Sequence, residues 1–134
     1  MYKRIMDGDV LIAIVGSMDD AGWGSTFVTE NSLSMQLGVM RKNKGDIQNH
    51  IHKVRNRQTK SISTEFHYVV RGKVLVRLYG YQRNLIAKVM LTPQMYCMLF
   101  NGGHGFEIVK DDTLMFECKL GNYTNVEEDK EKFD

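Results

Sequence analysis

The sequence predicts an all-β fold, an antiparallel sandwich or a jelly-roll-like barrel. Short apolar or alternating segments recur along the chain, separated by turn-forming Gly, Asn, Asp and Pro. No segment sustains the period of a long amphipathic helix. A chain of 134 residues suits one domain with one core, and a small barrel of that size can hold a ligand in its mouth.

Taken in order, the N-terminal run MYKRIMDGDVLIAIVG reads as strand, since Asp7 and Asp9 interrupt what would otherwise resemble a signal sequence. Within it, Val10–Val15 is apolar enough for a fully buried strand and for a subunit interface. SMDDAGWGS at 17–25 breaks regularity. Phe27–Glu30 is expected as a short strand. Leu33, Met35 and Leu37 alternate with Ser34, Gln36 and Gly38, the pattern of a half-buried strand. A polar turn follows at 41–46, and His50 and His52 are placed on a short strand. Lys53–Thr64 is polar and without period, so it reads as a loop. Strands are then expected at Thr64–Arg71, Lys73–Tyr79, Leu85–Leu91 and Tyr96–Phe100. The lone proline, in Thr92-Pro93-Gln94, marks a turn between the last two. His104–Val109 and Thr113–Lys119 are expected to pair as a hairpin around Lys110-Asp111-Asp112. The tail is polar, with Tyr123 and Phe133 as anchors.

Composition removes several function classes. Apolar residues make up 43% and charged residues 25%, as in ordinary globular domains. The net charge of +2 is too small to argue for nucleic acid. The basic run of Lys53, Arg55, Arg57 and Lys60 is read as a solvated loop. No apolar run approaches the roughly 20 residues that a membrane helix needs. The two cysteines, Cys97 and Cys118, lie in apolar segments and are expected as buried thiols, which suits a cytoplasmic setting. Met35, Met40, Met90, Met95, Met98 and Met115 are expected to fill core.

The chemistry concentrates in the stretch from Gly45 to Gly72. His50 and His52 are two apart, and so are Glu65 and His67. On a strand, i and i+2 share a face, so each pair can aim into one space. Of the chain's four histidines the last, His104, follows Gly102-Gly103 on a later strand. Imidazoles and a carboxylate converging from several strands would bind a divalent transition metal. The metal ligands expected are His50, His52, Glu65 and His104. His67 shares Glu65's face, as an orienting residue, a general acid or base, a fifth ligand, or a packed core histidine. Phe106 shares His104's face as a candidate pocket wall, and Arg77 is a candidate anion clamp. Tyr68 should pack on the opposite face, and Glu107 should point away from His104.

These residues resemble the cupin superfamily, whose first motif runs from a glycine through H-x-H and a glutamate to a second glycine. Gly45, His50, His52, Glu65 and Gly72 follow that order, with six residues between Glu65 and Gly72 as in the family. Four residues rather than five separate Gly45 from His50, and the spacer before Glu65 is longer than usual. His104 after Gly102-Gly103 is similar to the histidine of the second motif. The likeness covers about residues 33–119, leaving an N-terminal strand region at 1–32 and a polar tail at 120–134 within a single domain. A narrower likeness is to small single-domain cupins with GGHGFE and a tail carrying Lys119, Gly121, Tyr123, Asp129, Lys130 and Phe133. The resemblance implies a double-stranded β-helix, or jelly-roll barrel. It also implies bound Fe, Mn, Ni or Zn at His50, His52, Glu65 and His104, and a homodimer formed through an outer sheet.

Three functions are compatible with these features. One is a metal-dependent isomerase or oxygenase acting on a small oxygen-rich molecule, sugar-like or acidic. Another is a non-catalytic small-molecule-binding or sensing cupin. The third is a metal-free sugar-nucleotide epimerase or ketoisomerase, with Arg55, Arg57 and Arg71 available for a diphosphate.

Overall fold

The structure is a computed structural model that describes residues 2–41, 43–50, 53, 64–119 and 131–134. Ten strands carry it: β1 Tyr2–Asp7, β2 Val10–Ser17, β3 Gly24–Phe27, β4 Gly38–Arg41 and β5 Glu65–Arg71, then β6 Val74–Tyr79, β7 Leu85–Leu91, β8 Met95–Leu99, β9 Gly103–Ile108 and β10 Leu114–Lys119. The one helical element among the described residues is a 3-10 turn at Met18–Asp20, capped by the Ser17 hydroxyl. No helix there is long and apolar enough to cross a membrane. The strands form three antiparallel sheets, ordered β1-β2-β8-β5-β10, β3-β4 and β7-β6-β9. They do not join into one closed barrel.

The five-stranded sheet lies in the middle of three layers. Ala13, Val15, Val69, Cys97 and Leu99 on one face pack against Val74, Val76, Leu78 and Leu91 of the β6-β7-β9 sheet. Ile14, Tyr96 and Met98 on the other face gather Phe66, Tyr68, Leu33, Met35 and Leu37 into a second cluster. Each fully buried aliphatic side chain contributes about 1.5–3 kcal/mol. The alternation in Glu65–Arg71, buried at Glu65, His67 and Val69, follows because those side chains face the three-stranded sheet.

Several elements differ from expectation for identifiable reasons. The N-terminal run is a hairpin turning at Gly8-Asp9, with β2 paired on both sides by β1 and β8. Leu11–Val15 are buried inside the chain, with Ile12 and Ala13 0% exposed, while Val10 is exposed. Leu33–Leu37 is not a strand. There the Gln36 amide donates to the carbonyls of Glu30 and Leu33, and the Thr29 hydroxyl accepts from Leu37 N–H. Side chains thus serve backbone groups that a ladder would otherwise serve, while Leu33, Met35 and Leu37 still pack inward. His50 lies outside the strands on an exposed segment, and its Nδ1 is 3.0 Å from the Gln48 carbonyl oxygen. His52, Arg55 and Arg57, like Gly121, Tyr123, Asp129 and Lys130 of the tail, lie outside the described residues. So does the side chain of Met40. Met98 is fully buried, Met35, Met95 and Met115 are partly buried against the clusters, and Met90 is exposed.

The expected hairpin of the last two strands does not form. β9 pairs with β6 and β10 pairs with β5, so the chain crosses from one sheet to the other at 109–113. β10 is an edge strand. Its outer face leaves Cys118 exposed, against the expectation of a second buried thiol. Cys97 is fully buried, and burial, aided by the Glu65 carboxylate, pushes its thiol up to about 12.

Turn chemistry sets the register. Thr92-Pro93-Gln94-Met95 closes with Met95 N–H donating to the Thr92 carbonyl at 3.0 Å, and Gln94 has φ +71°. That is a type II geometry, with Pro at its favoured position. Gly102, at φ +71°, turns the chain from β8 into β9, and a Cβ there would collide with the Tyr79 carbonyl oxygen.

Gly102→Ala should destabilise the fold by about 1–3 kcal/mol, read from urea denaturation. A wild-type midpoint would show that the backbone can relax around Tyr79. In the native protein a thiol reagent such as DTNB should modify Cys118 quickly and Cys97 only on unfolding. Equal rates for the two thiols would contradict the burial of Cys97.

Candidate metal centre

Strand register builds the site. β5 carries Glu65 and His67 toward the three-stranded sheet. β10, antiparallel to it, places Lys119 opposite Glu65 and Glu117 opposite His67. Across the gap β9 brings His104 opposite Leu78 and Phe106 opposite Val76, so both rings face the same space as the buried aliphatics of β6. The site thus sits where the edge strands β9 and β10 of two sheets approach without pairing.

Glu65 and His67 are buried, at 5% and 2% exposure, while His104 is accessible from solvent. The Glu65 Oε2 atom lies 2.8 Å from His67 Nε2 and 3.3 Å from His104 Nε2. Its other oxygen, Oε1, lies 3.2 Å from the Lys119 ammonium. Glu117 approaches His67 Nε2 at 3.8 Å. Burial by itself would raise the Glu65 pKa. The hydrogen bonds from His104 and His67, with the charge of those rings, outweigh it and hold the carboxyl well below the usual carboxylate range. The Phe106 ring stands 4.7 Å from that of His67 and 5.6 Å from that of His104, forming an apolar wall.

One donor atom from each of Glu65, His67 and His104 lies within 4.8 Å of the others, a grouping that could hold a metal ion. The two measured spacings agree with this. An ion with bonds of about 2.1 Å sets neighbouring ligands about 3.0 Å apart in an octahedron and about 3.4 Å apart in a tetrahedron. His67 also keeps a second nitrogen unpaired, since its buried Nδ1 has no hydrogen-bond partner among the described residues. Such an atom costs about 1–3 kcal/mol.

The cluster opens into a cavity of about 760 Å³ that also reaches Met115, Arg77 and Tyr79. Arg77 pairs with Gly105 across β6 and β9, so it stands on the face of that sheet turned away from His104 and Phe106, with its guanidinium over the glycine, and it borders the cavity only around the β9 edge. The C-terminal residues 131–134 border the same cavity. Phe133 meets Tyr79 edge-on at 5.1 Å and packs over Gly103, where a Cβ would come within 3.0 Å of the ring. Arg83 holds this segment through Glu131 at 2.8 Å and covers the Phe133 ring. A second pocket, about 200 Å³ and mostly apolar, lies by the 3-10 turn, and no histidine is among its described lining residues.

Of the expected ligands, the structure brings Glu65 and His104 together and adds His67. His50 is not in the group, because 43–50 forms no strand to aim it. His52 lies outside the described residues. Arg71 is engaged elsewhere, with Asp112 at 3.0 Å. Tyr68 packs with Phe116 on the opposite face, and Glu107 is exposed. Glu117 was not singled out from the sequence, and Lys119 only within the tail of the narrower likeness, not as a site residue. Their i, i+2 spacing mirrors that of Glu65 and His67, but its meaning depends on β10 pairing with β5. No family model matches this chain, and no curated protein or solved structure matches it.

Proposed function

We propose that this chain is a cupin-type protein that binds a divalent transition metal through Glu65, His67 and His104 and takes a small oxygen-rich substrate into the adjoining cavity. The observation that carries this reading is the convergence of two imidazoles and one carboxylate at metal-ligand spacing from strands of two different sheets. Two histidines and one carboxylate are the donor set of non-haem iron oxygenases, and Mn, Ni and Zn accept the same ligands. Three protein ligands leave positions open for substrate or water. Bound there, the ion would supply Lewis-acid polarisation of a carbonyl or enediol, or activation of dioxygen, the chemistry of an isomerase or an oxygenase.

The chain's own residues then have defined tasks. Glu65 brings a buried negative charge to the site. Phe106 stands as an apolar wall beside both imidazoles. Arg77 stands on the outer face of its sheet and borders the cavity around the β9 edge, where it would meet only a carboxylate or phosphate at the far end of a substrate. Glu117, half-exposed and 3.8 Å from His67, adds a second negative charge beside the site.

A specific observation also favours a second reading. The buried His67–Glu65 hydrogen bond of 2.8 Å is a histidine–acid pair in its own right, as a metal-free epimerase or ketoisomerase would use. Metal content separates the two. Protein purified without chelator or nickel resin should carry, or take up, about one divalent ion per chain by elemental analysis. A metal concentration one-hundred-fold above Kd should stabilise the fold by about 2.7 kcal/mol. Glu65→Gln or His104→Ala should weaken uptake by about 100-fold or more, since even residues that merely support ligands are worth 10–100-fold. Failure of the wild-type protein to bind any of Fe, Mn, Ni or Zn would end the metal reading in favour of the acid–base one.

A further inference from the structure

Lys119 stands where a metal site would ordinarily avoid a cation. Its side chain is 15% exposed, and its ammonium lies 3.2 Å from Glu65 Oε1. The opposite oxygen of the same carboxylate faces His67 at 2.8 Å and His104 at 3.3 Å. The carboxylate is thus divided, with one oxygen on a fixed ammonium and the other directed to both imidazoles. Register enforces the division, since Lys119 is the direct cross-strand partner of Glu65 on the adjacent antiparallel strand. On that strand the only other charged side chain on this face is Glu117, whose Oε2 lies 3.8 Å from His67 Nε2.

We infer that Lys119 is a positioning residue and the resident counter-ion of this site, leaving Glu65 one oxygen to offer a metal and lowering the affinity with which the ion is held. The inference rests on the metal reading above and deepens it. Two consequences follow from charge and geometry. With Oε1 engaged, Glu65 ligates through Oε2 alone, and two histidines with one carboxylate oxygen leave the other positions open. An arriving divalent ion also meets a fixed positive charge across one carboxylate, in surroundings where water screens poorly. Such a site keeps its buried carboxylate compensated before the ion arrives and exchanges the ion more readily than the same three ligands alone would.

The test uses the full chain at one fixed pH, with Zn²⁺ and Co²⁺ titrated in competition with a chromophoric chelator. Lys119→Gln keeps an N–H donor for Oε1 but removes the charge, Lys119→Met removes both, and Lys119→Arg keeps both. Lys119→Gln should bind Zn²⁺ about tenfold or more tightly than wild type, with Lys119→Arg close to wild type. The Co²⁺ absorption bands should shift in Lys119→Met, as Glu65 becomes free to ligate through both oxygens. Circular dichroism checks folding, and Lys119→Gln, which retains the hydrogen bond, decides the matter if Lys119→Met unfolds. Equal or weaker Zn²⁺ binding by a folded Lys119→Gln, beside a wild type that does bind, overturns the role of the lysine and leaves the metal reading standing. Absence of binding by wild type overturns both.

Discussion

A carboxylate buried between two β-sheets must be compensated, and the arrangement around Glu65 follows from that requirement. An uncompensated ionised carboxylate in such surroundings would cost several kcal/mol and would protonate instead. Glu65 is met by His67 from its own strand, His104 from the facing sheet and Lys119 from the neighbouring strand. Each partner comes from a different element, so the electrostatics tie β5, β9 and β10 to one point. The hydrophobic clusters hold the layers together, but this polar junction is what fixes β9 against β10 at the open edge.

The open edge is itself informative. A sheet edge is normally paired, charged or covered. Here the edges of β9 and β10, unpaired among the described residues, face a cavity, and Glu117, Lys119 and His104 supply charged or titratable groups along them. The C-terminal residues 131–134 then border it, with Phe133 seated on Tyr79 and Gly103. The gap that keeps the sheets from closing into a barrel is the same gap that gives the site its access to solvent.

The metal-bound and metal-free readings use the same side chains because both need what this geometry offers, namely basic nitrogen and anionic oxygen held close together. They part on where the cation comes from. In one it is a divalent ion, and in the other it is the Lys119 ammonium. Phe106, which stands beside both rings, gives either reading the same apolar wall.

Local pattern carried much of this in advance. Alternation placed Glu65, His67 and Val69 on one face, and Gly72, Pro93 and Gly102 marked turns that the structure contains, because the two-residue period and left-handed glycine turns are properties of short segments. Phe106 beside His104 came from the same rule. What local pattern could not supply was strand pairing. Thr113–Lys119 reads equally well as the hairpin partner of β9 or as the edge of another sheet. Only the packing of β5 against β10 decided that Lys119 would meet Glu65. Similarly, Leu33–Leu37 has a strand's alternation, but Thr29 and Gln36 satisfy its backbone from the side, and His50 lost its assigned direction with the strand expected to aim it. The amino-acid sequence by itself determined an all-β chain and set out imidazoles and a carboxylate of the kinds that could ligate a metal. The tertiary structure decided which of them meet, because side-chain direction is set within a strand and convergence is set between strands.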